Sequence, residues 1–283
     1  MSIKLVASDL DGTIIDKNNH ISEKNFNAID LLHNKKIKFA ICTGKSYSVS
    51  RNVCKQFDAS YGIFGNGTQI IDLQTGKELL RKTLSHEDLL FISTMAKRFN
   101  FHIHLYTDSE IITEKLEYMD LRNYILKTNS ANNTLKFNIV KDILKYIETN
   151  KNDIFSMVIS TENSNLQELQ TLLSINKNID FAYINKRGKY RDTIIDKDYE
   201  YINITPTNIN KSEALKFLSN YLKLPNESVV AIGDNVNDYE MIKNAGIGVA
   251  IGGGWDELKN VAKYVTEANV SDGGFAEAIY KFV

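Results

Sequence analysis

The sequence predicts an α/β protein in which a doubly wound, Rossmann-like parallel sheet is interrupted by an inserted α+β domain. Three observations lead there. Strand-like apolar runs alternate with helical patterns in the first third of the chain. The same alternation returns in the last third, while the middle third, rich in Asn, Lys and Tyr, follows a different rhythm. The expected division is a discontinuous core of residues 1–83 and 198–283 around an insert of residues 84–197. With 283 residues, 43% of them hydrophobic, the chain can bury one large core or two modest ones.

Ile3–Ser8 opens the core as a strand with both faces apolar enough for a buried parallel position. Ser22 caps the following helix, expected to end at Lys35, which puts Phe26, Ile29 and Leu32 on one side. Ile37–Cys42 is the second strand, and Ser46 then opens a helix with Val49 and Val53 inward. Tyr61–Phe64 and Gln69–Leu73 flank Gly65-Asn66-Gly67, a turn signal for a hairpin or tight reversal. In the insert, Ser85-His86-Glu87-Asp88 resembles a helix-opening box continued by Leu89, Ile92 and Ala96. Strands are expected at 101–107, 111–113, 155–160 and 179–185, with helices near 117–127 and over 166–175. The last third reads as helix 211–223, strand 228–232, helix 237–244, strand 247–251 and helix 255–264.

Lys and Arg total 34 against 35 Asp and Glu, a net charge of -1, so the chain carries no general electrostatic footprint for nucleic acid or an anionic membrane. Two cysteines, Cys42 and Cys54, make no disulfide framework and fit a reducing compartment. The N-terminal apolar run is too short and too polar for a signal peptide, and no stretch reaches the roughly 18 apolar residues of a membrane span. The expectation is a cytoplasmic protein with no nucleic-acid and no membrane partner.

Candidate chemistry gathers at strand ends, where open parallel sheets bind ligands. Asp9-Leu10-Asp11-Gly12-Thr13 follows the first strand. Its two carboxylates repel unless a cation neutralises them, and hard Mg²⁺ prefers such oxygen ligands. Alone, the pair could equally be a turn with an Asx hydrogen bond. A second cluster, Gly233-Asp234-Asn235-Val236-Asn237-Asp238, follows strand 228–232, with Asp234 at the strand end and Asp238 one helical turn later. Asp and Asn at a helix opening are ordinary caps, but capping explains poorly why two strand ends both carry paired carboxylates. Thr43-Gly44 offers a hydroxyl and an unhindered amide at a third strand end, although Thr43 can also cap the next helix. Lys211 opens a helix, where the dipole disfavours a cation. It points either into water or toward a phosphate or carboxylate.

DLDGT at 9–13, TG at 43–44, Lys211 and GDNVND at 233–238 resemble, in order, the four motifs of the haloacid dehalogenase (HAD) superfamily. Asn66-Gly67, the large insert, and AGIGVAI followed by VAKYVTEANVSDGG resemble its Cof-type (HAD-IIB) branch with a C2B cap. The resemblance implies a Mg²⁺-dependent phosphatase acting on small phosphorylated metabolites, sugar phosphates or phosphorylated cofactors, through an aspartyl-phosphate. It makes Asp9 the nucleophile and a metal ligand. Asp11 would be the general acid and base, with its backbone carbonyl on the metal, and Asp234 the remaining protein ligand. Asp238 would support the site or Lys211. Thr43, the amides of Leu10 and Gly44, Lys211 and Asn237 would hold the phosphate. Two positions depart from the family pattern. Lys45 stands where Arg is usual, keeping the charge but losing the bidentate fork. Gly252-Gly253-Gly254 stands where Gly-Asn-Ala is common, which predicts a more mobile loop.

Other readings share parts of this pattern. A phosphomutase or phosphotransferase keeps the same Asp pair. A phospho-acceptor switch of the receiver type also uses Asp, Thr and Lys, but needs neither the insert nor a second Asp. A cysteine phosphatase wants an Arg six residues after Cys42, where Ser48 stands, so Cys42 reads as a core residue. His102 and His104 share one face of strand 101–107. They are either sheet-surface residues or, with Lys45, substrate-selecting ones, and Tyr106 and Tyr118 are similar candidates. The insert is expected to act as a lid.

Overall fold

The computed structural model describes residues 2–116, 136–161, 166–186 and 199–283. The helix expected near 117–127 and Tyr118 lie outside them. In chain order the elements begin with β1 (Leu5–Ser8), α1 (Glu23–Asn34), β2 (Lys38–Cys42), α2 (Tyr47–Gln56), β3 (Tyr61–Phe64), β4 (Gln69–Asp72) and β5 (Glu78–Arg81). Next come α3 (His86–Arg98), β6 (His102–Tyr106), β7 (Glu110–Thr113), β8 (Lys136–Ile139), α4 (Ile143–Thr149), β9 (Ser156–Thr161), α5 (Gln167–Leu173), β10 (Ile179–Lys186) and β11 (Tyr199–Pro206). The chain ends with α6 (Lys211–Tyr221), β12 (Val229–Gly233), α7 (Tyr239–Asn244), β13 (Ile247–Ala250), α8 (Asp256–Val261), β14 (Tyr264–Val265) and α9 (Gly274–Phe282). These elements form two compact units, one of residues 1–47, 51–81 and 209–283, the other of 48–50 and 82–208.

The first unit is built on a sheet of order β14-β13-β12-β1-β2-β3-β4-β5, parallel except where β4 and β5 turn back antiparallel. Strand order reverses at β1, which pairs with β2 on one side and β12 on the other. That reversal is the switch point at which such sheets open a crevice. Alternation along β1 divides the core into two layers. Val6 faces one layer with Phe39, Ile41 and Phe275, while Leu5 and Ala7 face the other with Ala40, Leu215 and Met241. Both layers are fully covered, so β1 reads as a continuous apolar run. Ser22 caps α1 by accepting from the Asn25 amide, and Ala28, Ile29 and Leu32 are buried. Asn25 itself is buried, donating from Nδ2 to the Ile14 carbonyl and accepting from the Ala276 amide, each at 3.1 Å. One side chain thereby ties α1 to the start of α9.

In the second unit the sheet order is β10-β11-β9-β6-β7-β8, antiparallel except for the β7–β8 pair. Ile103, Leu105, Met157, Ile159, Ile202 and Ile204 line the face that packs on Leu89, Ile92, Ile147 and Leu169 of the helices. Ser85 caps α3 by accepting from the Asp88 amide, as its box predicts. The chain crosses back to the first unit at 208/209 rather than at 197, because β11 pairs with β9 and β10 inside the second sheet. No helix among the described residues is long and apolar enough to cross a membrane.

Candidate active site

Three strand ends and one helix start supply the site. Asp9 follows β1, Thr43 follows β2, Asp234 follows β12, and Lys211 is the first residue of α6. Lys211 does not reach water. It is fully buried, and its Nζ donates to Asp9 Oδ1 and to Asp238 Oδ1, each at 2.7 Å. The helix dipole that disfavours a cation there is outweighed by two carboxylates at contact distance. Burial opposes the Lys211 charge, but Asp9 and Asp238 hold its ammonium above the ordinary lysine range.

The second acidic cluster is organised from within. The other oxygen of Asp238, Oδ2, accepts from the amides of Asp234 at 3.1 Å and Asn235 at 3.0 Å, so Asp238 braces both its own loop and Lys211. Asp234 Oδ1 accepts from the Thr13 hydroxyl at 2.9 Å, which links the β12 loop to the β1 loop. Gly12 permits the approach: its φ is +86°, and a Cβ there would lie 2.2 Å from Asp234 Oδ2.

Carboxylate oxygens of Asp9, Asp234 and Asp238 lie within 4.8 Å of one another. Three carboxylates face one ammonium, which leaves two negative charges without a partner in a largely buried pocket. The cost is visible in the acidities of Asp9 and Asp234. Burial pushes Asp9 up to about 7, against Lys211 and with help from Asp238 and Asp234. Burial likewise pushes Asp234 up to about 6, against the Thr13 hydrogen bond. A hard divalent cation matches both the oxygen donors and the missing charge. Asp9 and Asp234 are the donors available to it, since both oxygens of Asp238 are already engaged.

The remaining candidates fall into place unevenly. Thr43 is buried, and its Oγ1 accepts from the Lys45 amide at 3.2 Å. The Leu10 side chain belongs to the core, while its carbonyl takes the amides of Ile14 and Ile15. Asp11 stands half exposed outside the three-carboxylate group, its Oδ1 paired at 2.7 Å with Lys45 Nζ. Lys45 is thus an ion-pair partner of Asp11 in the first unit. Asn237 donates to Asn66 Oδ1 at 3.0 Å. Cys42 is buried below the cluster, and burial pushes its thiol up, as befits a core residue rather than a nucleophile.

His102 and His104 do share a face of β6, opposite Ile103 and Leu105, in the second unit. His104 is buried, and desolvation with His102 beside it lowers its pKa to about 4. The Gly252–Gly254 run is a bonded turn rather than a loose one. Gly252 N donates to Thr266 Oγ1 at 2.9 Å, Gly254 N to the Ile251 carbonyl at 2.8 Å, and Trp255 N to the Asp234 carbonyl at 2.7 Å. Two site residues escaped the sequence reading. Thr13 stands in the sequence only as part of a motif, and Asn66 only as a turn former and a mark of the Cof-type resemblance, with no site role attached to either.

Comparison with known proteins places the whole chain in one family and fold. The family model described as haloacid dehalogenase-like hydrolase matches residues 6–279. The 5-amino-6-(5-phospho-D-ribitylamino)uracil phosphatase YcsE of Bacillus subtilis (strain 168) is 28% identical over 292 residues, spanning 100% of this chain and 97% of its own. The phosphatase YwpJ of the same organism is 24% identical over 96% of this chain and 97% of its own. Among solved structures, a haloacid dehalogenase-like hydrolase from Bacteroides thetaiotaomicron has the same fold, with a TM-score of 0.80 at 22% identity over 100% of both chains. A HAD subclass IIB sugar phosphatase gives 0.75 at 17% identity, over 99% of this chain and 98% of its own.

Proposed function

We propose that this chain, which belongs to the haloacid dehalogenase-like hydrolase family, is one of its Cof-type, subclass IIB phosphatases and hydrolyses small phosphorylated metabolites through an aspartyl-phosphate on Asp9. The observation that carries the reading is the charge deficit around Asp9: three converging carboxylates, one lysine, and room in the ledger for one divalent cation. Mg²⁺, held by Asp9, Asp234 and the backbone carbonyl of Asp11, would supply the positive charge that the transferring phosphoryl oxygens require.

The chain's own groups divide the chemistry as follows. Lys211 fixes the Asp9 carboxylate through Oδ1, and Asp9 attacks phosphorus in line with the leaving alkoxide. As the P–O bond to the substrate alcohol breaks, Asp11 delivers the proton that the alkoxide takes up. Asp11, now ionised, then takes a proton from water, which attacks the same phosphorus, releases orthophosphate and restores the Asp9 carboxylate. Lys45 pairs with the ionised form of Asp11, the form needed in this second step. Thr43, Lys211, Asn237 and the amides of Leu10 and Gly44 are donors suited to the equatorial oxygens.

Sugar phosphates and phosphorylated cofactors are the substrate classes proposed. The relatives named for 5-amino-6-(5-phospho-D-ribitylamino)uracil make that compound a first member of the panel. The test is orthophosphate release from such a panel with Mg²⁺, by the wild type and Asp9→Asn. Turnover should fall on the order of a thousandfold or more with every substrate in the variant. Equal release by both would end the proposal. Transfer to an acceptor without orthophosphate release would favour the phosphotransferase reading instead.

A further inference from the structure

We infer that the Gly65-Asn66-Gly67 turn is a positioning device of the active site, in which Asn66 orients Asn237 for the phosphate. The inference rests on the phosphatase reading above. This turn touches three of the loops that carry the site. The Asn66 amide donates to the Thr43 carbonyl at 3.0 Å, and the Gly65 amide donates to the Lys45 carbonyl at 3.0 Å. Gly67, at φ +115°, lies so close to the residue before Lys211 that a Cβ there would stand 2.7 Å from the Asn210 carbonyl oxygen. The third loop is reached by the Asn66 side chain, whose Oδ1 accepts from Asn237 Nδ2 at 3.0 Å. The same amide lies over Gly44, its oxygen 3.1 Å from where a Cβ on Gly44 would be.

Asn66 is held at φ +55° and ψ +23°, in the left-handed region. Glycine would adopt that backbone at lower cost, so the turn alone gives no reason for a side chain here. The bond to Asn237 supplies one. Asn237 is exposed on the loop between Asp234 and Asp238, where a free amide samples several rotamers and both flips. Accepting one of its N–H groups fixes which end of that amide is the donor end and leaves the second N–H for an anion. Asn66 is thereby a positioning residue: it acts on the phosphate through Asn237, and it ties Asn237 to the loop that offers Thr43 and the Gly44 amide.

The test compares wild type, Asn66→Gly, Asn237→Ala and the double variant. Each is assayed with Mg²⁺ for kcat and KM on an aryl phosphate, and for orthophosphate affinity by calorimetry. Asn66→Gly should melt at or above the wild-type midpoint, because glycine relaxes the left-handed backbone. It should nevertheless raise KM and weaken orthophosphate binding about tenfold, with a smaller change in kcat. The double variant should be no worse than Asn237→Ala alone, since the two residues act as one. Wild-type orthophosphate affinity in Asn66→Gly, losses that multiply in the double variant, or a wild type that binds no orthophosphate would each overturn the assignment. Retained turnover in Asp9→Asn would instead overturn the hydrolytic reading alone, leaving the binding measurements to decide the role of Asn66.

Discussion

Lys211 carries two carboxylates on one buried ammonium, and its removal would leave Asp9 and Asp238 facing each other without a counter-charge. Lys211→Met is expected to destabilise the protein by about 3–5 kcal/mol in denaturant unfolding, the range seen when one partner of a buried pair is lost. A change below about 1 kcal/mol would mean that the pair is held by something other than charge. His104 gives a second, opposite kind of prediction. Its folded pKa is about 4, against an ordinary 6.5, because burial and His102 disfavour its charge. Between those values the unfolded chain takes up a proton that the folded chain refuses. The stability is therefore full above about pH 6.5 and falls as pH drops toward 4, by about 3 kcal/mol at most. His104→Leu should flatten that part of the stability-against-pH curve, and identical slopes in both proteins would refute the assignment. At this scale the acidic motifs were legible, because paired carboxylates at two strand ends are costly without a purpose. Thr13 and Asn66 were not, since a hydroxyl or amide has many ordinary uses and only the fold reveals its partner.

Among the elements, the strands with long apolar runs and the helices with a serine at their start read directly from the sequence: β1, β2, β12, α1 and α3 lie within a residue or two of expectation. Others gave too little signal. β5, β8 and β14 are four residues or fewer, α4 is seven, and β11 alternates polar residues before ending in Pro206. β8 and β11 are defined by pairing with strands well separated from them in sequence, and β5 by its short hairpin with β4. The glycine run at 252–254 shows the same limit, since three glycines signal freedom locally while the amides of Gly252, Gly254 and Trp255 are in fact bonded to Thr266, Ile251 and Asp234. Gly67→Ala puts a side chain into a φ of +115° and against the Asn210 carbonyl that precedes α6. It should lower stability by about 1–3 kcal/mol. It should also lower kcat, because the start of α6 carries Lys211. Thermal melts and steady-state kinetics read both effects, and unchanged values in either would show that the turn does not set the helix start.

For the whole molecule, the discontinuous core and its insert followed from the change in sequence rhythm, whereas the return point did not, because the last strand of the insert resembles a linker. Each unit has its own buried apolar cluster, so each has its own source of stability. Ile159 is fully buried in the second unit, and Ile159→Ala should cost that unit about 2–5 kcal/mol. Added Mg²⁺ should stabilise only the unit that contains the carboxylates. Scanning calorimetry is expected to show two transitions, one moved by the substitution and the other by the cation. A single transition moved by both would mean that the two units unfold together.

The place of β1 in its sheet has a consequence for biosynthesis. Its neighbour on one side, β2, is translated early, but its neighbour on the other, β12, comes from residues 229–233. A ribosome making this chain therefore releases the whole of the inserted unit while the middle of the surrounding sheet still lacks a partner. The nascent first third must wait, one edge of its most apolar strand uncovered, and that interval is when a chaperone has most to offer.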